Sequence, residues 1–133
     1  MKYMILLYGS QQDYDVLAGK PTDKPPMTPD EVAAMHAYMG EIHKELADSG
    51  ELVDAQGLSA PVHARRIQLQ SGAPVVTDGP YPETVEVLAG FTIVDCASFD
   101  RAAEIAAKFI NPANPGEYVD VRPVIDSVAD LEV

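Results

Sequence analysis

The sequence predicts an α+β fold with an antiparallel sheet, in the ferredoxin-like order β-α-β-β-α-β, and three observations predict it. Two stretches, Lys2–Tyr8 and Val87–Asp95, are apolar on both of their alternating sets, the pattern of central strands covered on both sides. A helix with a full set of end signals spans 28–49. A second helical pattern follows Ser98 and leads to a last strand, so each helix returns the chain to a sheet.

The elements follow in order. In the first strand Tyr3, Ile5 and Leu7 form one set and Met4, Leu6 and Tyr8 the other, before Gly9-Ser10 breaks the run. Residues 10–27, with the stretch GKPTDKPPM, read as a long irregular connection; loops of that length serve either as surface excursions or as lids. Thr28 then caps a helix, with Pro29 at its first position and Glu31 completing a capping box. Val32, Met35, Met39, Ile42 and Leu46 make its apolar stripe, and Gly50 stops it. Leu52–Leu58 reads as a second strand. Arg65–Gln70 reads as a third, near an edge, because only Ile67 and Leu69 of its alternating residues are apolar. Pro74–Thr77 extends that hairpin beyond Ser71-Gly72. Ser98 caps the second helix, whose inner face is read as Phe99, Ala102, Ala103, Ala106 and Phe109 or Ile110, and Tyr118–Val124 is the last strand.

Right-handed crossovers place both helices on one face of the sheet. The other face of the two central strands then exposes a broad apolar surface, which isolated domains seldom tolerate. A second copy packed sheet against sheet covers it, so the expectation is a homodimer built as a dimeric α/β barrel with a cavity between the sheets.

Bulk properties exclude some classes. The 133 residues read as one domain, 1–133, with 47% hydrophobic and 23% charged residues, the balance of an ordered globular chain. A formal net charge of −12, with scattered basic residues, argues against nucleic acid and against anionic membrane surfaces. The single cysteine, Cys96, permits no internal disulfide, and the first apolar run is too short for a signal core or a membrane span, so a cytoplasmic location is expected.

Residues able to carry chemistry are few. His36 and His43 lie seven apart on the first helix, not at the four-residue step that lets two histidines share a metal, and no metal or cofactor motif appears. Cys96 stands before a helix start, where a thiol is either activated or simply buried. In the last strand Tyr118, Asp120 and Arg122 point one way, toward a cavity or toward solvent; Asp120 and Arg122 can pair, and Arg122 can bind an anion or a carbonyl. Tyr8 can add a hydroxyl from the first strand. Between strands lies VTDGPYPET: Asp78 can close an Asx-turn, Gly79 can take backbone conformations closed to other residues, and Pro80 and Pro82 hold Tyr81 rigid.

That stretch, continued by Glu86-Val-Leu-Ala-Gly-Phe-Thr-Ile-Val-Asp, resembles the DGPF branch of the YCII-related proteins, whose members show V-T-D-G-P-F-x-E-[ST]-K-E-x-L-x-G-[FYW]. Lys2-Tyr-Met-Ile-Leu-Leu, Gly50-Glu-Leu-Val with Gly57-Leu, and Val119-Asp-Val-Arg-Pro also match, with Tyr81 in place of Phe and Val85 in place of Lys. The resemblance implies a ferredoxin-like fold paired into a dimeric barrel, and no settled activity. Many such proteins are encoded near extracytoplasmic-function sigma factors. A His–Asp pair proposed for the broader family falls here at Met39 and Asn111, so it is not carried over; His36 and His43 flank the first position. Two readings follow. In one, the cavity hosts a cofactor-independent reaction on an aromatic or carbonyl-bearing molecule, with Asp78 as base, Tyr81 as hydroxyl donor and Arg122 as anion stabiliser, and with Tyr8, His36 and Asp120 binding the ligand. In the other, the protein is a non-catalytic ligand-binding or regulatory module.

Overall fold

The two strands that are apolar on both faces form the centre of a sheet. In the computed structural model, which describes residues 1–80, 86–112, 114 and 116–132, the order runs β1 (Lys2–Gly9), α1 (Gln11–Leu17), α2 (Pro29–Ser49), β2 (Leu52–Gly57), β3 (Arg65–Gln70), β4 (Ala73–Asp78), β5 (Val87–Asp95), α3 (Phe99–Ala107) and β6 (Asp120–Pro123). The four-stranded sheet is ordered β2-β5-β1-β6 with every neighbouring pair antiparallel. This arrangement is an α+β fold consistent with the ferredoxin-like class.

Alternation along β1 decides which side is dry. Tyr3 and Ile5, with Val94 of β5, face Ile42 and Leu46 of α2 and Ala102, Ile105 and Ala106 of α3; Cys96 and Phe109 complete this core. The opposite face carries Met4 and Leu6, directly across from Ile93 and Phe91, and these four are only partly buried. The capping box of Thr28 and Glu31, the first-turn Pro29 and the left-handed Gly50 (φ 80°) bound α2 as its sequence signals require. Its C-terminal half is anchored by Ile42 and Leu46, whereas Val32, Met35 and Met39 are only half-buried.

Several expectations change. Residues 11–17 are a helix rather than irregular chain: Ser10 caps it and Asp13 closes a capping box. On α3 the inner residue is Ile105, fully buried, while Ala103 is exposed and Phe99 sits at the rim with its ring 5.0 Å from that of Tyr3. The last strand is shorter, and Tyr118 precedes it.

The largest difference concerns β3 and β4. Ser71 (φ 51°) and Gly72 (φ 79°) turn the chain so that Ile67 faces Val76 and Leu69 faces Pro74. This ribbon is a separate two-stranded sheet inserted between β2 and β5. Ile67 and Leu69, the apolar set of this strand read as lying near an edge, are 63% and 71% exposed.

Candidate functional site

The site is built first from β1 and β6. Leu6 lies opposite Asp120 and Met4 opposite Arg122, which places Asp120 and Arg122 on the sheet face away from the core. A register shift after Leu7 lets Tyr8 reach across, and its hydroxyl donates to Asp120 Oδ2 at 2.7 Å. The Asp120 bond raises the Tyr8 phenol above its ordinary pKa, burial adds to this, and the Arg122 charge opposes it. Tyr8 is therefore a protonated donor near neutral pH. Its ring lies 5.6 Å from that of Tyr118, tilted by 41°, and the Tyr118 hydroxyl donates to Glu86 Oε2 at 3.0 Å. The expected partnership of Asp120 with Arg122 is replaced by the Tyr8 bond; the two share a face without an ion-pair contact between them.

Tyr8 and Tyr118 also line a cleft of about 610 Å³. The unexpected α1 creates one wall, with Val16 and Leu17, and the chain then folds back through an ion pair of Lys24 with Asp13. Burial pushes the Asp13 carboxyl up, but Lys24 and the Ser10 amide and hydroxyl outweigh it and leave the carboxyl below its ordinary pKa. Met27 and Met35 extend the apolar floor, and the first turn of α2 brings Glu31. The connection from α3 to β6 brings Glu117, which accepts from the Asn111 amide at 3.1 Å and from Asn114 Nδ2 at 3.0 Å. Among the described residues, four carboxylates, Asp13, Glu31, Glu86 and Glu117, thus border the cleft against one cation, Lys24. Sequence reasoning missed these four. The Ser10-x-x-Asp13 spacing is the one local signal that could have found α1 and its Asp13, and no local pattern marks the others as neighbours.

The remaining candidates lie elsewhere. Asp78 ends β4 opposite Arg65, whose Nε is 3.8 Å from Asp78 Oδ1, and its side chain is 82% exposed. The Asx-turn expected there is chemically excluded, since the residue two positions on is Pro80, which has no N–H. Gly79 instead donates its N–H to Ala64 O at 2.9 Å, and the Gly79–Pro80 peptide is cis. Tyr81 lies outside the described residues. Asp78 and Arg122 belong to different sheets, and His36 is exposed on α2, outside the lining of the cleft. An exposed pair such as Arg65–Asp78 contributes at most ~1 kcal/mol. Asp78→Asn is therefore expected to leave the denaturation midpoint nearly unchanged, so that any loss of activity it causes reports on chemistry; a large drop in melting temperature assigns Asp78 a structural role.

His43 and Cys96 take structural places. His43 Nδ1 is 2.9 Å from Met39 O and Nε2 is 3.0 Å from the hydroxyl of buried Thr92, with the ring against Phe109. Cys96 donates its thiol to Ser98 O at 3.4 Å, and burial is the main cause that pushes its pKa up, away from the nucleophilic thiolate. Among the described residues no group of three or more His, Cys, Asp or Glu is placed to hold a metal, and no helix is long and apolar enough to cross a membrane.

Comparison with known proteins fits this framework. The family model for the YCII-related domain matches residues 1–126. An uncharacterised protein of Rhizobium meliloti (strain 1021) is 35% identical over 88 residues, which span 65% of this chain and 69% of that relative.

Proposed function

We propose that this chain, which belongs to the YCII-related domain family, works as a homodimer that binds a small organic cation with an apolar body in the Tyr8–Tyr118 cleft. The observation that carries the reading is the lining of that cleft. Its apolar lining of Val16, Leu17, Met27 and Met35 suits a hydrocarbon, and the two tyrosines that line it are of the residue type on whose rings cations settle. Its four carboxylates against Lys24 favour positive charge, so the anionic ligand expected from Arg122 alone is disfavoured at this place. Pairing is supported by the half-buried apolar face of Met4, Leu6, Phe91 and Ile93. The stretch from Val76 to Thr84 supports the DGPF branch within the family.

A matched probe set tests the reading: phenethylammonium, phenethyl alcohol and phenylacetate, titrated into isotopically labelled protein and followed by amide chemical shifts. Phenethylammonium is expected to move amides around Tyr8, Met35 and Tyr118 and to bind about tenfold more tightly than phenylacetate, the ratio that roughly 1.4 kcal/mol supplies. Glu86→Gln, which keeps an acceptor for Tyr118, is expected to narrow that ratio. Equal or tighter binding of phenylacetate, or shifts confined to other surfaces, overturns it.

A second reading is carried by the 2.7 Å bond from Tyr8 to Asp120. A protonated phenol held beside Arg122 can turn its one O–H from Asp120 to a developing oxyanion, whose charge Arg122 helps to offset, without a cofactor. On this reading Asp78 of a second copy serves as base, and Tyr81 as a further hydroxyl donor. Tyr8→Phe then abolishes turnover while ligand binding persists.

A further inference from the structure

Among the described residues that line the cleft, Lys24 is the one cation, and its partner is informative. Its ammonium pairs with Asp13 Oδ1. The other oxygen, Asp13 Oδ2, accepts the Ser10 N–H at 2.8 Å, so the capping box of α1 fixes this carboxylate and leaves Oδ1 for a donor from the cleft. The other three carboxylates are held by neutral groups. Glu31 accepts from the Thr28 amide, Glu86 from the Tyr118 hydroxyl, and Glu117 from the Asn111 amide and Asn114 Nδ2. Among the described residues, Asp13 is therefore the carboxylate at which the fold itself seats an ammonium in the cleft.

The backbone that carries Lys24 is fixed while its side chain is not. Thr22 Oγ1 accepts the Lys24 N–H at 3.1 Å and donates to Lys24 O at 3.2 Å, and Pro25 and Pro26 stiffen the run that leads to the Thr28 cap of α2. The ammonium is thus delivered to Asp13 from a defined point. The pair is open to solvent, with side chains 47% and 41% exposed, and ion pairs so placed are weak. A flexible four-carbon stem on a fixed backbone lets the ammonium leave for water and return without rearranging the segment.

We infer that Lys24 is a built-in competitor in the cleft, and that a ligand with a primary ammonium takes Asp13 Oδ1 in its place. This rests on the cation-binding reading and deepens it twice. It names Asp13 as the carboxylate that receives the charge, and it narrows the ligand to the headgroup that Lys24 itself presents there. It also sets a threshold: the seat is open for only a fraction of the time, and apparent affinity falls by that fraction.

A double-mutant cycle on the full chain tests it, with phenethylammonium titrated into wild type, Lys24→Gln, Asp13→Asn and the double variant and followed by amide chemical shifts. Asparagine keeps an oxygen for the Ser10 N–H, so α1 stays capped. Lys24→Gln is expected to bind phenethylammonium about fivefold more tightly than wild type, the ratio that release of an exposed ion pair supplies, and phenethyl alcohol no differently. In the Asp13→Asn background the same substitution is expected to bring no gain. The N-trimethyl form of the probe, which keeps the charge but has no N–H, is expected to bind wild type more weakly than phenethylammonium; equal binding overturns the seat on Oδ1. Phenethylammonium that binds neither wild type nor Lys24→Gln removes the cation reading and this inference together. Binding in the cleft of wild type that Lys24→Gln leaves unchanged or weakens overturns this inference alone, since the pair is then a strut that shapes the cleft. A gain that survives in the Asp13→Asn background also overturns it, because it then reports only the loss of a positive charge.

Discussion

Ile5→Ala is expected to destabilise the fold by about 2–5 kcal/mol, the usual loss when a large aliphatic side chain is cut back inside a packed core. Ile5 has no exposed surface, sits on a central strand and packs within the cluster that joins α2 and α3 to the sheet. For a chain of this size the loss corresponds to a fall in melting temperature of roughly 10 °C. The midpoint in urea moves with little change in slope, because the surface exposed on unfolding is nearly the same. A cost below about 1 kcal/mol contradicts the position assigned to this side chain. Leu6→Ala, one residue along and on the opposite face, supplies the contrast. Leu6 is half-buried in one copy and lies across from Phe91. If copies pair through that face, Leu6→Ala matches wild type in dilute solution and falls behind it as concentration rises. The loss from Ile5→Ala is present at every concentration.

That contrast explains how much of the fold was legible. Strands apolar on both alternating sets announce a central position, and β1 and β5 occupy the two middle places of the sheet. The α2 boundaries were legible because each end carries its own local chemistry, Thr28 with Glu31 at one and Gly50 at the other. Helix α1 was harder, since seven residues are too few for a periodic stripe and only the Ser10–Asp13 box marks it. For β3 the alternation of Ile67 and Leu69 says that one face is apolar but not what covers it. Distance along the chain hides the cleft more completely. Asp13, Glu31, Glu86 and Glu117 become neighbours only through the tertiary fold. The net charge of −12 argued against nucleic acid as a partner, but it gave no hint that acidic groups would gather around two tyrosine rings. Tyr8 and Asp120 were read on the first and last strands, and the β1–β6 register brings them together.

Gly79→Ala is expected to cost about 1–3 kcal/mol or to displace the ribbon, through overpacking rather than through an unfavourable torsion. A Cβ placed on Gly79 falls 2.2 Å from Pro61 O and 3.3 Å from Pro61 C, with Ala64 Cβ at 3.5 Å. Backbone atoms cannot swing aside as a side chain does. Pro61 O already accepts the Ala64 N–H at 2.9 Å, and Ala64 O accepts the Gly79 N–H at 2.9 Å, so two bonds fix the exit of β4 against the Pro61 turn. Gly72 provides the control: its φ of +79° disfavours any side chain, but nothing lies within 4 Å of its built Cβ. Gly72→Ala should therefore show only the conformational cost, about 1 kcal/mol. Hydrogen exchange separates the two effects. Gly79→Ala is expected to open the amides at positions 64 and 79, and Gly72→Ala to leave them protected. Equal costs with equal protection mean that close approach to Pro61 is not why glycine stands at 79.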